Sequence, residues 1–127
     1  MALSIMTEIG SGELVDKITI LEIKSDRISD ADKLKNIWHE LSILSATRDA
    51  HLNGIDGLDE LTADLKAINE ALWEIEDDIR ACEARKDFGQ RFIELARAVY
   101  ITNDKRAAVK KEINLVFIIF FLLDLTR

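Results

Sequence analysis

The sequence predicts an all-α protein, an antiparallel bundle of four to five helices with a long, coiled-coil-like third helix. Three observations carry that prediction. The 127 residues include no proline and only five glycines, the residues that most often punctuate turns and break helices. Apolar side chains return every three or four positions along most of the chain, which is the α-helical period. Between Leu58 and Cys82 those steps alternate strictly over more than three heptads.

Taken in order, Met1 to Gly10 is weakly patterned and reads as a possible arm. Ser11 and Gly12 start the first helix, with Glu13 and Asp16 placed against the positive end of its dipole. It runs to about Ile28, with Leu14, Ile18, Leu21 and Ile28 on one face. Ser29 and Asp30 offer a fresh cap, and the second helix carries Leu34, Ile37, Trp38, Leu41 and Leu44. It ends near Asn53, before the turn Gly54-Ile-Asp-Gly57. The third helix holds the seam Leu58, Leu61, Leu65, Ile68, Leu72, Ile75, Ile79 and Cys82. Lys86 and Asp87 mark a break, and Asp87 with Gln90 resembles a capping box. The fourth helix carries Phe88, Phe92, Leu95, Ala96 and Val99. Beyond Val99 the same face meets Asn103, Arg106 and Lys110, where a core wants hydrophobes. Either the helix breaks around Thr102–Asn103–Asp104, the reading favoured here, or these groups line a wetter cavity. A fifth helix then carries Val109, Ile113, Val116 and the apolar tail.

The length suits one helical domain spanning residues 1–127, large enough for a core without staples. Hydrophobic residues at 48% and charged residues at 32% exclude a disordered chain. The net charge of −7 argues against nucleic acid and anionic membrane as partners, because both recruit cationic surface. One cluster runs the other way, Lys105, Arg106, Lys110 and Lys111, and reads as a solvated helix face. A single cysteine, Cys82, cannot form an internal disulfide, which points to a reducing, cytoplasmic setting. No signal peptide is visible at the N-terminus. Leu115 to Leu123 is continuously apolar, yet nine helical residues reach only about 14 Å against about 30 Å of hydrocarbon, so no membrane span is expected.

No phosphate loop, nucleophile elbow or paired-cysteine metal site is present, and no cofactor or bound metal is expected. His39 and His51 read as surface residues, and Cys82, on the seam, as a small core hydrophobe. Glu13 with Asp16 and Glu74 with Asp77 are E-x-x-D pairs of the kind that hold Mg²⁺ in all-α nucleotide pyrophosphatases. Glu74, Asp77 and Asp78 point away from the seam, however, so a solvated acidic face is preferred. Beside the seam runs a polar stripe of Asn69, Trp73, Glu76 and Arg80, at steps of four, three and four. Glu22 falls in an apolar sector of the first helix, from which it would meet Arg80, Arg97 or Arg106 across the bundle.

Three strings resemble an uncharacterised bacterial family. They are Gly12-Glu-Leu-Val-Asp-Lys-Ile-Thr-Ile-Leu-Glu-Ile-Lys-Ser25, Leu72-Trp-Glu-Ile-Glu-Asp-Asp-Ile-Arg80, and Arg91-Phe-Ile-Glu-Leu-Ala-Arg-Ala-Val-Tyr100 with Asn103-Asp-Lys-Arg106. The resemblance covers about residues 10–114 and implies no activity. It does single out Glu13, Asp16, Lys17, Glu22, Lys24, Asn69, Glu76, Arg80, Arg91, Arg97, Tyr100, Asn103 and Arg106. The chain departs from that pattern after Asn114, where members carry a polar turn and a short charged tail. Its apolar end is either a variant that packs into an oligomer or the product of a shifted or truncated reading frame.

Function remains unknown at this level, and two readings compete, a third, peripheral membrane attachment through the tail, being disfavoured by the acidic balance. The leading one is a helical, self-associating interaction protein, a homo-oligomer that covers its apolar tail. The alternative is a small enzyme or ligand-binding protein, with a pocket or polar network drawn from Glu22, Asn69, Glu76, Arg80, Arg97, Asn103 and Arg106. It would be Mg-dependent if Glu22, Glu76 and Asp16 bound the ion, with Arg80 or Arg106 holding an anionic or nucleotide substrate. The small-molecule ligand itself is not identified by these residues.

Overall fold

A computed structural model describes residues 4–125. The first three residues of the expected arm and the last two of the apolar tail lie outside that range. Among the described residues there are four helices and no strand: α1 (Ser11–Arg27), α2 (Ala31–His51), α3 (Leu58–Ala84) and α4 (Gln90–Leu125). Residues 4–10 have no regular structure and are exposed.

Local chemistry sets each boundary. Asp30 caps α2, its carboxylate accepting from the Asp32 and Lys33 amides at 3.0 and 3.5 Å. Gly54 and Gly57 both hold positive φ, 77° and 84°, so the turn before α3 relies on residues without a Cβ penalty. At the far end of α3, Lys86 takes a left-handed conformation, with φ 55°. Its amide donates to the Glu83 carbonyl and that of Asp87 to the Cys82 carbonyl. This is a Schellman stop, with lysine where glycine is usual. Asp87 is not the capping-box residue expected from sequence. Its side chain instead accepts from the Gly89 amide at 3.1 Å, folding the turn so that α4 opens at Gln90.

The seam of α3 faces inward, every one of its eight members being buried or half-buried. It closes chiefly on α4, while α1 touches each of the other three helices and α2 approaches α1. Val15, Ile18, Leu65 and Ile113 meet at the centre of the core, and Leu41 and Leu44 of α2 pack against its edge. Cys82 is buried, as its place on the seam predicts. His39 and His51 are exposed.

The expected break near Asn103 does not occur. α4 is one helix of 36 residues, about 54 Å long at 1.5 Å per residue. Its polar residues need no break, because Arg106 and Lys110 find partners on α1 and Asn103 accepts from Arg106 within α4. The two helices run antiparallel in register: Asn114 lies beside Gly12, Lys110 beside Glu13 and Arg106 beside Asp16. That register also exposes the tail. Since α1 begins at Ser11, level with Asn114, the last turns of α4 run past its end. There only Val116 and Phe117 reach the core cluster.

Candidate functional site

The site grows from one face of α1, on which Gly12, Asp16, Thr19 and Ile23 follow at helical spacing. All four are buried, and Asp16 is 0% exposed. A buried carboxylate is costly unless charge and hydrogen bonds answer it, and here both oxygens are answered. Arg106 grips both oxygens, with Nε 2.9 Å from Oδ1 and an Nη2–Oδ2 bond beside it. Such a two-pronged pair is the strongest ionic geometry available to side chains. Asn69 of α3 donates to Oδ1 at 2.9 Å, and the Lys110 ammonium stands 3.6 Å from Oδ2.

Thr19 closes the network. Its hydroxyl donates to the Asp16 carbonyl at 2.8 Å and accepts from the Asn69 amide at 2.9 Å. No buried side-chain nitrogen or oxygen among the described residues lacks a partner. Burial pushes the Asp16 carboxyl up, but the hydrogen bonds from Arg106 and Asn69 and the charges of Arg106 and Lys110 together outweigh it. The carboxyl is held below its ordinary range. The Asp16 hydrogen bond in turn pushes the Arg106 guanidinium up. The pair is therefore fully ionised at neutral pH.

The close approach of the helices that makes this possible comes from Gly12. A Cβ there would lie 2.9 Å from the carbonyl carbon of Lys110 and nearer still to its oxygen. With no side chain in the way, the Asn114 Oδ1 accepts from the Gly12 amide at 2.7 Å and from the Ser11 hydroxyl at 3.1 Å. Gly10 at the start of α1 makes no side-chain cap bond, so α4 supplies the cap from across the bundle.

The structure joins some of the sequence-predicted residues and separates others. Asn69 and Arg106 lie at the centre, and Asn103 reaches Arg106 Nη1 at 3.5 Å. Glu76 is exposed and lies at the mouth of a cleft, of about 170 Å³, that Asn69 and Arg106 also line. Arg80 turns away to pair with Glu76 and Asp77 on the solvent side of α3. Arg97 is exposed on another face of α4, beside Ile93 and Ile101. Glu22 is half-buried and meets none of the three arginines proposed for it. It lies six residues beyond Asp16, about 9 Å along the helix, and the register of α4 gives Arg106 to Asp16 instead.

Two further expectations need correction. Arg106 and Lys110 do not belong to a solvated basic face, because both turn inward to α1; Lys105 and Lys111 remain exposed. The E-x-x-D pairs do not converge. Lys110 holds Glu13 at 2.5 Å, Arg106 holds Asp16, Arg27 holds Glu74, and Arg80 holds Asp77 at 3.3 Å. Sequence reasoning placed Asp16 at a helix start and among the alternative Mg²⁺ ligands, and missed it as the hub. The available signal was its position between Gly12 and Thr19, matched by polar residues at 103, 106, 110 and 114 on a helix of opposite direction.

The match to known families spans residues 5–122 and concerns a group described as Family of unknown function (DUF6165). The chain belongs to that family. The departure expected at Asn114 falls inside the matched span, which runs through most of the apolar segment. No curated protein and no solved structure matches the chain. Within the family, then, the geometry of the side chains is the guide to function.

Proposed function

We propose that this protein works by self-association, with the C-terminal turns of α4 forming the interface between two copies. The supporting observation is a run of seven large hydrophobes, Leu115 and Ile118 to Leu123, that are all exposed. Leu115, Ile118 and Leu122 form the outward stripe, opposite the buried Ile113, with Ile119 and Phe121 on its flanks. The five residues of that stripe and its flanks, each about half exposed, present roughly 500 Å² per copy, so that two copies meet the ~1,000 Å² total that a specific interface needs. Monomers seldom expose so much contiguous apolar surface.

A second copy is the occupant that this surface fits. No charge lies between Glu112 and Asp124, so the patch calls for a partner surface that is itself uncharged, and its own equivalent is one. A two-fold pairing buries both tails at once. No described helix is long and apolar enough to cross a membrane, and the net charge of −7 disfavours nucleic acid as the partner. The lone buried cysteine fits a reducing compartment, and we assign the chain to the cytoplasm as one helical domain.

Size-exclusion chromatography with light scattering at micromolar concentration tests the proposal. More than one chain per particle is expected. The triple substitution Leu115→Glu, Ile118→Lys, Leu122→Glu, which touches only exposed positions, should give a folded monomer. A monomeric wild-type protein overturns the reading.

A further inference from the structure

A second surface lies away from the tail, where α1, α3 and α4 leave a cleft beside the ionic cluster. Asn69, 6% exposed, and Arg106, with 28% of its side chain exposed, lie between the buried Asp16 and this opening. Three of the five N–H groups of Arg106 are used on Asp16 and Asn103, the Asn103 bond being long. The remaining donors can meet an acceptor in the cleft. The walls are Ile20 and Ile23 of α1 with Leu72 and Trp73 of α3. The Trp73 ring is steadied by the Arg27 guanidinium, 5.9 Å from its centroid.

Charge decides what kind of molecule fits. Asp16 is answered by Arg106 and Lys110, and Glu76 by Arg80 at 3.8 Å. Lys24 lines the same cleft, is half-buried, and forms no ion pair among the described residues. It is the one cation of the cleft without a carboxylate partner. A single unmatched ammonium suits a monoanion, whereas the Glu76 carboxylate at the mouth repels a polyphosphate. Volume points the same way. About 170 Å³ is below the roughly 300–1,000 Å³ of a drug-sized site, too small for a nucleotide and sized for one ring or a branched alkyl group.

We infer that the cleft between α1 and α3 binds a small monocarboxylate with a compact apolar body, aromatic or branched. Its carboxylate lies between Lys24 and the spare donors of Arg106, and its body lies against Ile20, Ile23, Leu72 and Trp73. Unlike the nucleotide-type substrate considered from the sequence, this ligand needs no metal ion. The site is independent of self-association, since Arg106 stands nine residues, about 14 Å of helix, before Leu115, where the proposed interface begins.

The test uses the full chain carrying Trp38→Phe, a change at an exposed position that leaves Trp73 the sole indole. Benzoate and isovalerate are titrated against the indole N–H resonance and fluorescence of Trp73, with benzamide as the uncharged isostere of benzoate. Saturable shifts with at least one carboxylate are expected, with benzamide at least tenfold weaker. Lys24→Gln, with its fold checked by circular dichroism, should weaken carboxylate binding at least tenfold. No saturable response to either carboxylate overturns the inference. So does benzamide binding as well as benzoate, or Lys24→Gln binding as tightly as its parent.

Discussion

Replacing Asp16 with leucine leaves the Arg106 guanidinium facing an apolar side chain, with only the long Asn103 bond remaining. Breaking a buried ion pair at one end costs roughly 3–5 kcal/mol. Because Arg106 is 28% exposed it can tilt into the cleft and recover some hydration, which places Asp16→Leu near the lower end. Arg106→Met is more damaging per charge, because Asp16 is 0% exposed and would retain only Asn69 and a Lys110 ammonium 3.6 Å away. The double variant Asp16→Leu/Arg106→Met buries no unpaired charge and should lie within about 2 kcal/mol of wild type, since matched hydrophobes often replace such pairs at little cost. The singles therefore sum to well beyond the double, giving a coupling energy of about 3 kcal/mol or more. Urea unfolding followed by circular dichroism at pH 7 measures all four proteins, at one fixed chain concentration so that association does not shift the midpoints. Single substitutions costing under about 1 kcal/mol each, or a double variant that is simply additive, would refute the reading of Asp16–Arg106 as the central strut.

The same pair predicts a pH dependence. The Asp16 carboxyl is held below its ordinary value by Arg106, Asn69 and Lys110, so its contribution is present at neutral pH and is lost as pH falls through the lowered folded value, below about 4. The wild-type urea midpoint should thus fall relative to that of the double variant on acidification from pH 6 to 3; a difference that stays constant with pH would contradict it. Gly12→Ala sets two effects against each other. Alanine gains up to about 1 kcal/mol in helix propensity, but its Cβ meets the Lys110 carbonyl. Overpacking costs roughly 1–3 kcal/mol and the strained Asn114 bond about 1 more. A net loss of about 2 kcal/mol is expected by chemical denaturation, and a gain would show that α1 and α4 separate freely.

How far the site was legible follows from these residues. Asn69 stood out as a polar residue flanking the seam and Arg106 as one interrupting an apolar face, signals that need only one helix to be read. Glu22 carried the same signal as Arg106 and does not join the cluster, because facing a core sector says nothing about which turn of a neighbour stands level with it. Asp16 was read as a helix-start acid for the same reason. Its partner lies ninety residues away, and only the Gly12–Asn114 contact fixes the offset that brings Arg106 beside it.

Periodicity and the scarcity of helix breakers determined, without coordinates, that this chain is helical, that α3 presents one continuous seam, and that Cys82 packs as a hydrophobe. Those features depend on local spacing, and local spacing is written residue by residue. The uninterrupted run of α4 through Asn103, the internal ion pair and the exposure of the last turns depend on helix register. Register is a property of two helices at once, set here by a glycine that lets backbones approach and by the point at which α1 begins, and so it was decided only in the folded molecule.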